Sequence, residues 1–329
     1  MTLPPVSVLG VGAVTAVGRT LPLITAAISD ASPATAAPRT VSDDVLADPA
    51  TSKRLRRADR FTRMAVIAAS DAWSTAKASL EGVPLERIGL IVASGFGPHG
   101  RGFKFLDGIL DHGDSAALPT DFSHSVHGAP AAYITEILGL RGPSLSTTDF
   151  LSGFEQAVLL AQAWLDQQQC DRVLVGVVEE LGEVLLHCAG RMLNHDQRIS
   201  PGEGAVFWML GRSDTPGIAT LAVAPPAAVD LRIVDQPVIG PASPTIDPGH
   251  AGATTTFSPY FGHSPSSAAF QLLGGLLSMQ AGRLLGRLIG DESSAAARVD
   301  NVATFRPSFD PSAATLRLTK VNSEPGPST

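Results

Sequence analysis

Two cysteines, Cys170 and Cys188, are all that this 329-residue chain holds. So low a count excludes a disulfide framework and makes a reducing cytoplasm the expected compartment. Charge is scarce too: 17% of residues, with a net of −7. A chain of that sign has no general affinity for nucleic acid or anionic membrane. No apolar run reaches the roughly 20 residues of a membrane span. The opening "MTLPPVSVLGVGAVTAVG" lacks the basic region of a secretion signal and reads as a first strand and turn. A reactive residue is also missing where the sequence most invites one. "GPSLSTTDFLSGFEQA", Gly142–Ala157, is a polar β-prone run, a small-residue turn and a helix start. Corners of this kind hold a reactive Ser or Cys at a helix N-terminus, which stabilises negative charge. Here the tip reads Phe150-Leu151.

What is present is apolar. Hydrophobic residues make up 44% of the chain, enough for a large core, and the length suits about two domains. Val6–Val17 is a strand with glycines at 10, 12 and 18. "GVG" invites a dinucleotide site, but the third glycine is misplaced and no acidic residue follows a second strand at the ribose distance. Residues 29–52 form a Pro/Ala/Ser-rich loop, and a helix over 58–80 follows, with Met64, Ala65, Ile67, Ala68, Ala72 and Trp73 on one face. Residues 87–95 and 171–180 are continuously apolar and β-branched, as strands buried on both faces are. The largely apolar helix Gly153–Gln169 lies between them, which predicts a right-handed crossover. From Ser213 the composition turns to Pro, Ala and Gly with two weak strands, then a helix Pro265–Leu277 and a strand over 314–321. The expected organisation is a first half, 1–212, a reduced second half, 213–321, and a disordered tail, 322–329. "FLSGFEQAVLLAQA" and "YFGHSPSSAAFQLLGGLL" share a glycine-rich corner feeding an apolar helix, which suggests that the halves are related.

Several stretches, in this order, resemble the β-ketoacyl synthases of the thiolase fold. "VSVLGVGAVTAVG" is similar to their opening strand, and "RADRFTRMAVIAASDAW" to the helix after their first loop. "PTDFSHSVHGAPAAYITEILGLRGPS" resembles the run before the nucleophile, and "CDRVLVGVVEELGE" the strand after the nucleophile helix. "RISPGEGAVFWML" is similar to the Glu-Gly-Ala strand closing the first half, and "YFGHSPSSAAFQLLGGLLSMQAGRL" to the Gly-His loop and its helix. The likeness is good over residues 1–212 and patchy afterwards. It implies an α/β chain with a five-layer αβαβα fold, two related halves and a shortened second half.

The resemblance also implies an active site of one Cys, two His and one Lys, and most of it is absent. Aligned on Ser152-Gly153, the Cys of Cys-x-Ser-Gly corresponds to Phe150, or to Leu151 if the stretch is one residue short. Neither can attack a thioester. No His-Gly-Thr-Gly-Thr string occurs, and His250 is only a weak echo of it. His263 in "FGHSPS" matches the second histidine, and Ser258 stands where the lysine would be. The Gly-Phe-Gly-Gly loop is replaced by "RPSFDPSA", residues 306–313. Elongation needs a thiolate to accept the acyl group, and donors for the charge that develops on decarboxylation. A lone histidine supplies neither step completely.

Within the family the resemblance is closer to the chain length factor (ketosynthase beta) of type II polyketide synthases, the silent partner of an active ketosynthase. Phe150-Leu151-Ser152-Gly153 has the frame of that subgroup's Gln-x-Gly-Gly, with Phe as a bulky plug that cannot polarise a carboxylate. The subgroup's tunnel gate carries over onto Phe103, Leu106 and Leu110, spaced to share one helix face. Such a stripe is also what a core helix would show. If it is the gate, three apolar residues suit a reduced or polyene chain better than a poly-β-ketone. The expected function is a non-catalytic factor that pairs with an active ketosynthase, shapes the acyl tunnel and needs no cofactor or metal. The basic run 53–63 opposes the dipole of the helix it opens. Arg54, Arg56, Arg57 and Arg60 are therefore candidates for docking an acidic acyl carrier protein, beside the plainer reading of a solvated face.

Two rival functions remain open: a diverged acyl-thioester hydrolase or synthase using Ser152 with His263, and a homodimeric acyl-chain binding protein. Against the first, Ser152 sits in the first helical turn, where it is expected to cap. His263 without its partners reads as a structural group. His124 and His127 have the one-turn spacing of metal ligands but no accompanying Cys or Asp set. Cys188 beside His187 has no orienting carboxylate and reads as an inert thiol.

Overall fold

The computed structural model of the chain describes residues 3–30, 37–47, 53–183, 185–187, 200–224, 229–234, 253–288, 298–305 and 315–321. Cys188, His250, the 306–313 stretch and the 322–329 tail lie outside them. Strands in the first half are β1 (Val6–Val14), β2 (Ile88–Ser94), β3 (Ser144–Thr148), β4 (Arg172–Glu179) and β5 (Gly204–Arg212). The second half contributes β6 (Ala219–Ala224), β7 (Leu231–Val234), β8 (Ala253–Thr256), β9 (Arg287–Leu288), β10 (Asn301–Phe305) and β11 (Thr315–Lys320). Helices α1 (Leu21–Asp30), α2 (Asp43–Leu46), α3 (Arg60–Thr75), α4 (Lys77–Leu80), α5 (His99–His112), α6 (Pro119–Ser125), α7 (Ala129–Leu138) and α8 (Gly153–Asp166) belong to the first half. The second half adds the single turn α9 (Ser258–Phe261) and α10 (Ser267–Ala281).

The strand order, β3-β2-β4-β5-β1-β6-β11-β10-β7-β8-β9, repeats one pattern twice. Numbered within each half, both run third, second, fourth, fifth, first, with β9 added at the outer edge of the second. In each half the second strand is parallel to the third and fourth, and the last is antiparallel to both its neighbours. The halves join where Val6–Val8 of β1 pair antiparallel with Ala219–Leu221 of β6. Relatedness suggested by two glycine-rich corners is thus visible as a repeated topology.

Alternation along the strands sorts the core into two layers. Val173, Val175 and Val177 of β4 and Val206, Trp208 and Leu210 of β5 face inward with Phe154, Val158 and Leu165 of α8. Leu272, Leu273, Leu276 and Leu277 of α10 join the same layer, so both corner helices are buried between the half-sheets. Leu174, Val178, Ala205, Phe207 and Met209 point the other way, onto α3. Burial on both sides explains why these strands read as continuous apolar runs.

Glycines 10 and 12, which invited a nucleotide reading, are where α3 crosses β1. A Cβ on Gly10 would lie 2.6 Å from the Ala76 nitrogen and from Thr75 Oγ1, and one on Gly12 would collide with the Ala68 carbonyl and Ala72 nitrogen. The contact is sealed by Thr75 Oγ1, which accepts from Val11 N at 3.0 Å and donates to Val11 O at 3.1 Å. Strand β1 stops at Val14, short of Val17, because Thr15 and Gly18 close a turn through backbone bonds of 2.9 and 3.1 Å. The helix expected over 58–80 starts one residue after its Asp59 cap, which accepts from Thr62 N at 2.8 Å, and breaks at Ala76. Helix α8 ends at Asp166, before the left-handed Gln168 (φ 56°). Helix α10 continues past Leu277 to Ala281, where Gly282 caps it.

Gly12→Ala is expected to cost about 3 kcal/mol, the upper part of the range for overpacking a tight core. Urea unfolding checks this; an unchanged midpoint would mean that α3 does not press on β1.

Candidate functional site

The corner at the end of β3 is built around Asp149. Its Oδ1 accepts from the backbone nitrogens of Leu151 (2.7 Å) and Ser152 (2.6 Å), and its Oδ2 from Gln156 Nε2 (3.2 Å). Burial raises the Asp149 carboxyl, but bonds from Ser152, Leu151 and Gln156 outweigh it and hold the group below its ordinary value. Asp149 therefore braces the turn that leads into α8, and Ser152 holds the N-cap position without the side-chain bond expected of it. The Ser152 hydroxyl accepts from Gln156 Nε2 at 2.8 Å and reaches Asp149 Oδ1 at 3.5 Å, and makes no capping bond. Asp was the better acceptor because its carboxylate reaches two successive N–H groups from the preceding turn.

The tip of the corner projects rather than plugs. Phe150 and Leu151 are each 57% exposed. One side of the Phe150 ring rests on Phe96, with centroids 5.2 Å apart. A row of rings continues from there, Phe96 to His99 at 6.4 Å and His99 to Phe103 at 6.5 Å. It links the corner to α5, which carries the stripe read as a gate. Helix α5 buries no residue, and Phe103, Leu106 and Leu110 are 43%, 53% and 81% exposed. Within one chain the stripe is therefore not core. Exposed Leu118, Phe122 and Val126 lie just before, on and just after α6, which meets α5 through Phe105 and Phe122 rings 5.6 Å apart. Exposed apolar side chains in such number mark an interaction surface.

Behind the row lie two carboxylates that the sequence reading passed over. Glu179, the last residue of β4, is buried and accepts from Ser94 Oγ (3.3 Å), Gly95 N, Phe96 N (3.3 Å) and Ser266 Oγ (2.6 Å). Desolvation pushes its carboxyl up, and these four bonds oppose the shift. Glu180 accepts from Gly100 N at 2.8 Å, and burial pushes its carboxyl up to about 7. His99 sits beside it, with Nδ1 3.7 Å from Glu180 Oε1 and burial holding the ring below its ordinary value. The available signal was the pair of acids ending an otherwise apolar run, "VLVGVVEE", since paired buried acids need partners.

His263 is also buried. Its backbone bridges to residues 200–202, donating to Ser200 O (2.8 Å) and accepting from Gly202 N (2.9 Å), and its Nδ1 faces Ser200 O at 3.3 Å. Ser258, at the position matched to the lysine, is buried and neutral: Gln271 Nε2 donates to its Oγ at 2.8 Å, and Thr256 Oγ1 lies at 3.1 Å. Gln271 was not singled out in the sequence; its other amide atom accepts from Phe257 N at 2.7 Å.

The basic run divides. Arg54, Arg56 and Arg57 are exposed, with Arg54 reaching Ile137 O at 3.3 Å. Arg60 is half-buried against Glu203 (2.6 Å) and Asp43 (2.7 Å), and Glu203 raises its guanidinium above the ordinary value. Arg60 thus corrects the four-residue docking set, because its charge is neutralised inside the fold. His124 Nδ1 lies 2.7 Å from Thr120 O and its Nε2 3.0 Å from Tyr133 OH, while the His127 ring lies against Gly97. Among the described residues no group of three or more His, Cys, Asp or Glu could hold a metal ion. No helix among them is long and apolar enough to cross a membrane.

A family model, Beta-ketoacyl synthase, N-terminal domain, matches residues 5–205, more than half of the chain. No curated protein matches. Among solved structures, a type II PKS acyl-carrier protein in complex with its ketosynthase bound to the hexaketide (AntDE:AntF) superposes with TM-score 0.75 at 15% identity, covering 98% of this chain and 100% of that one. The ishigamide ketosynthase/chain length factor gives 0.73 at 16%, covering 97% and 100%. A beta-ketoacyl synthase from Burkholderia phymatum STM815 gives 0.73 at 15%, covering 98% and 100%. At these identities the likeness is one of fold.

The raised Glu180 carboxyl sets a pH dependence. Its neutral form is favoured in the fold, so that contribution to stability is complete below about 4.5 and is lost as pH rises through about 7. Glu180→Gln should therefore raise the Tm at pH 8 and leave it unchanged at pH 4. An equal difference at both pH values would assign the effect to packing rather than charge.

Proposed function

The chain belongs to the beta-ketoacyl synthase family through its N-terminal domain, and from that premise we propose that it is a non-catalytic chain length factor. It pairs with an active ketosynthase and shapes the tunnel in which the partner's acyl chain grows. One observation carries the reading: the nucleophile corner, intact in its backbone, ends in an exposed Phe150 whose ring row leads directly onto the uncovered stripe Phe103, Leu106 and Leu110. A corner that holds a hydrocarbon ring cannot form an acyl thioester, because covalent catalysis requires a nucleophile. It can present apolar surface. Ser258 in place of the family lysine is consistent with a site that has lost its charged machinery.

Exposed apolar side chains on α5, α6 and the corner suit an obligate partner, whose interfaces are large and more hydrophobic than transient ones. Among the described residues strand β3 is an edge, bonded only to β2 and carrying a partly exposed Leu145. The solved ketosynthase/chain length factor and the ketosynthase with its acyl-carrier protein support the class of both partners. Arg54, Arg56 and Arg57 are the positions for carrier-protein docking. The gate stripe and the Phe150 ring present no hydrogen-bonding group of their own, so they favour a reduced or polyene chain over a poly-β-ketone. The first rival, a hydrolase using Ser152 with His263, is disfavoured because the Ser152 hydroxyl bonds to Asp149 and Gln156 rather than to a histidine.

Co-expression with the ketosynthase encoded nearest to it, affinity capture and sizing should yield a one-to-one complex that elongates carrier-protein substrates, while this chain alone does not. Leu106→Trp should shorten the product of that complex. A homodimer that holds a fatty acid without any synthase would instead favour an acyl-binding protein. Stoichiometric labelling by a serine-directed acylating probe, lost in Ser152→Ala, would make the chain an enzyme in its own right.

A further inference from the structure

We infer that His99 is the positioning residue of the gate helix α5, and that it sets product length by fixing where the stripe Phe103, Leu106 and Leu110 stands. The inference rests on the chain-length reading above. Helix α5 buries none of its residues, so packing along its length does not fix its pose. The fixed points lie in its first turn. Gly100 N donates to Glu180 Oε1 at 2.8 Å, and Gly182 N donates to His99 Nε2 at 3.2 Å. Arg101 adds a 2.7 Å ion pair to Asp121 of α6, which meets α5 through the Phe105–Phe122 contact and is held to α7 by His124 and Tyr133 at 3.0 Å. The two helices form an arm attached to α7 through α6 and to the end of β4 through His99 and Gly100, and the second attachment is the one at the head of the gate helix.

The imidazole suits this task. Accepting from Gly182 N at Nε2 puts the proton on Nδ1, which faces Gly97 O at 3.3 Å. Nε2 is thereby turned to backbone and Nδ1 to the Gly97 carbonyl and, at 3.7 Å, to Glu180 Oε1, so the ring offers only carbon to Phe96 and Phe103. Small residues make room for the latch: a Cβ on Gly182 would lie 2.6 Å from His99 Nε2, and one on Gly100 3.1 Å from Glu180 Oε1. Positions 99, 103, 106 and 110 follow one helical stripe. Leu110 stands about 16 Å along the axis from His99, at about 1.5 Å per residue, so a tilt of about 5° at the latch moves it by about 1.4 Å. A change at His99 therefore displaces the far gate residue more than the near one.

The test uses the co-expressed ketosynthase pair, malonyl-loaded acyl carrier protein and mass spectrometry of the products. His99→Phe keeps a ring against Phe96 and Phe103 but cannot accept from Gly182, whereas His99→Gln can both accept there and donate to Gly97. His99→Phe and His99→Ala should shift the dominant product by at least one extension unit, and His99→Gln should restore the wild-type length. Hydrogen exchange over residues 100–112 should speed up by about tenfold in His99→Ala, as for a helix released from its anchor. If His99→Phe and His99→Ala make the wild-type product while Leu106→Trp shortens it, the latch is overturned and the chain-length reading stands. If Leu106→Trp also leaves length unchanged, the reading falls and the latch with it. Loss of the one-to-one complex in the His99 variants would overturn the inference by making the residue part of the subunit interface.

Discussion

The geometry of the site depends on one buried carboxylate. Glu179 ends β4, receives the turn that follows β2 through Ser94, Gly95 and Phe96, and takes the hydroxyl of Ser266 just before α10. It therefore ties the first half's sheet to the central helix of the second half and sets the direction in which residues 95–99 leave β2. Burying such a group is expensive unless its lone pairs are filled, and here four donors fill them. Removal of its partners would leave an uncompensated acid in the core. The ring row and the first turn of α5 both begin at the segment that Glu179 holds.

A second theme is the removal of charge and reactivity from places where the family resemblance implies them. Phe150 stands at the corner, and Ser258 is held in a neutral network with Gln271 and Thr256. Arg60 and Glu203 are the paired charges that tie the fold together. Glu203 binds Arg60, the Val41 nitrogen (2.8 Å) and the Leu181 nitrogen (3.0 Å), joining α3 to two loops. The corner's own carboxylate, Asp149, is taken up by the backbone of the turn and by Gln156.

Much of the architecture was legible because its causes are local. Val173–Val178 and Ala205–Leu210 read as doubly buried strands from their unbroken apolar content, and the Met64–Ala72 face predicted a packed helix. Boundaries were less legible: α10 ran four residues past the expected end, since its stop is Gly282 rather than the last residue of the periodic stripe. Ser152 does stand at the N-cap of α8, but its hydroxyl is turned to Gln156 and Asp149, and only the course of the turn decides where that oxygen points. Glu179, His99 and Gln271 escaped notice for another reason. Their partners are 80 or more positions away in the first two cases and 13 away in the third, and no periodicity encodes a side-chain bond between separate elements.

By itself the sequence determined the element types, the repeat of corner and buried helix in two halves, and the absence of a nucleophile at the corner, because each follows from residue chemistry at known spacing. The two apolar stripes show what it left undecided. Met64, Ala65, Ile67, Ala68 and Ala72 on α3, and Phe103, Leu106 and Leu110 on α5, are both helical faces of hydrocarbon. Periodicity reveals that a face is apolar and nothing about what covers it. Only the tertiary structure laid β1 and β5 over the first stripe and left the second open beside Phe150.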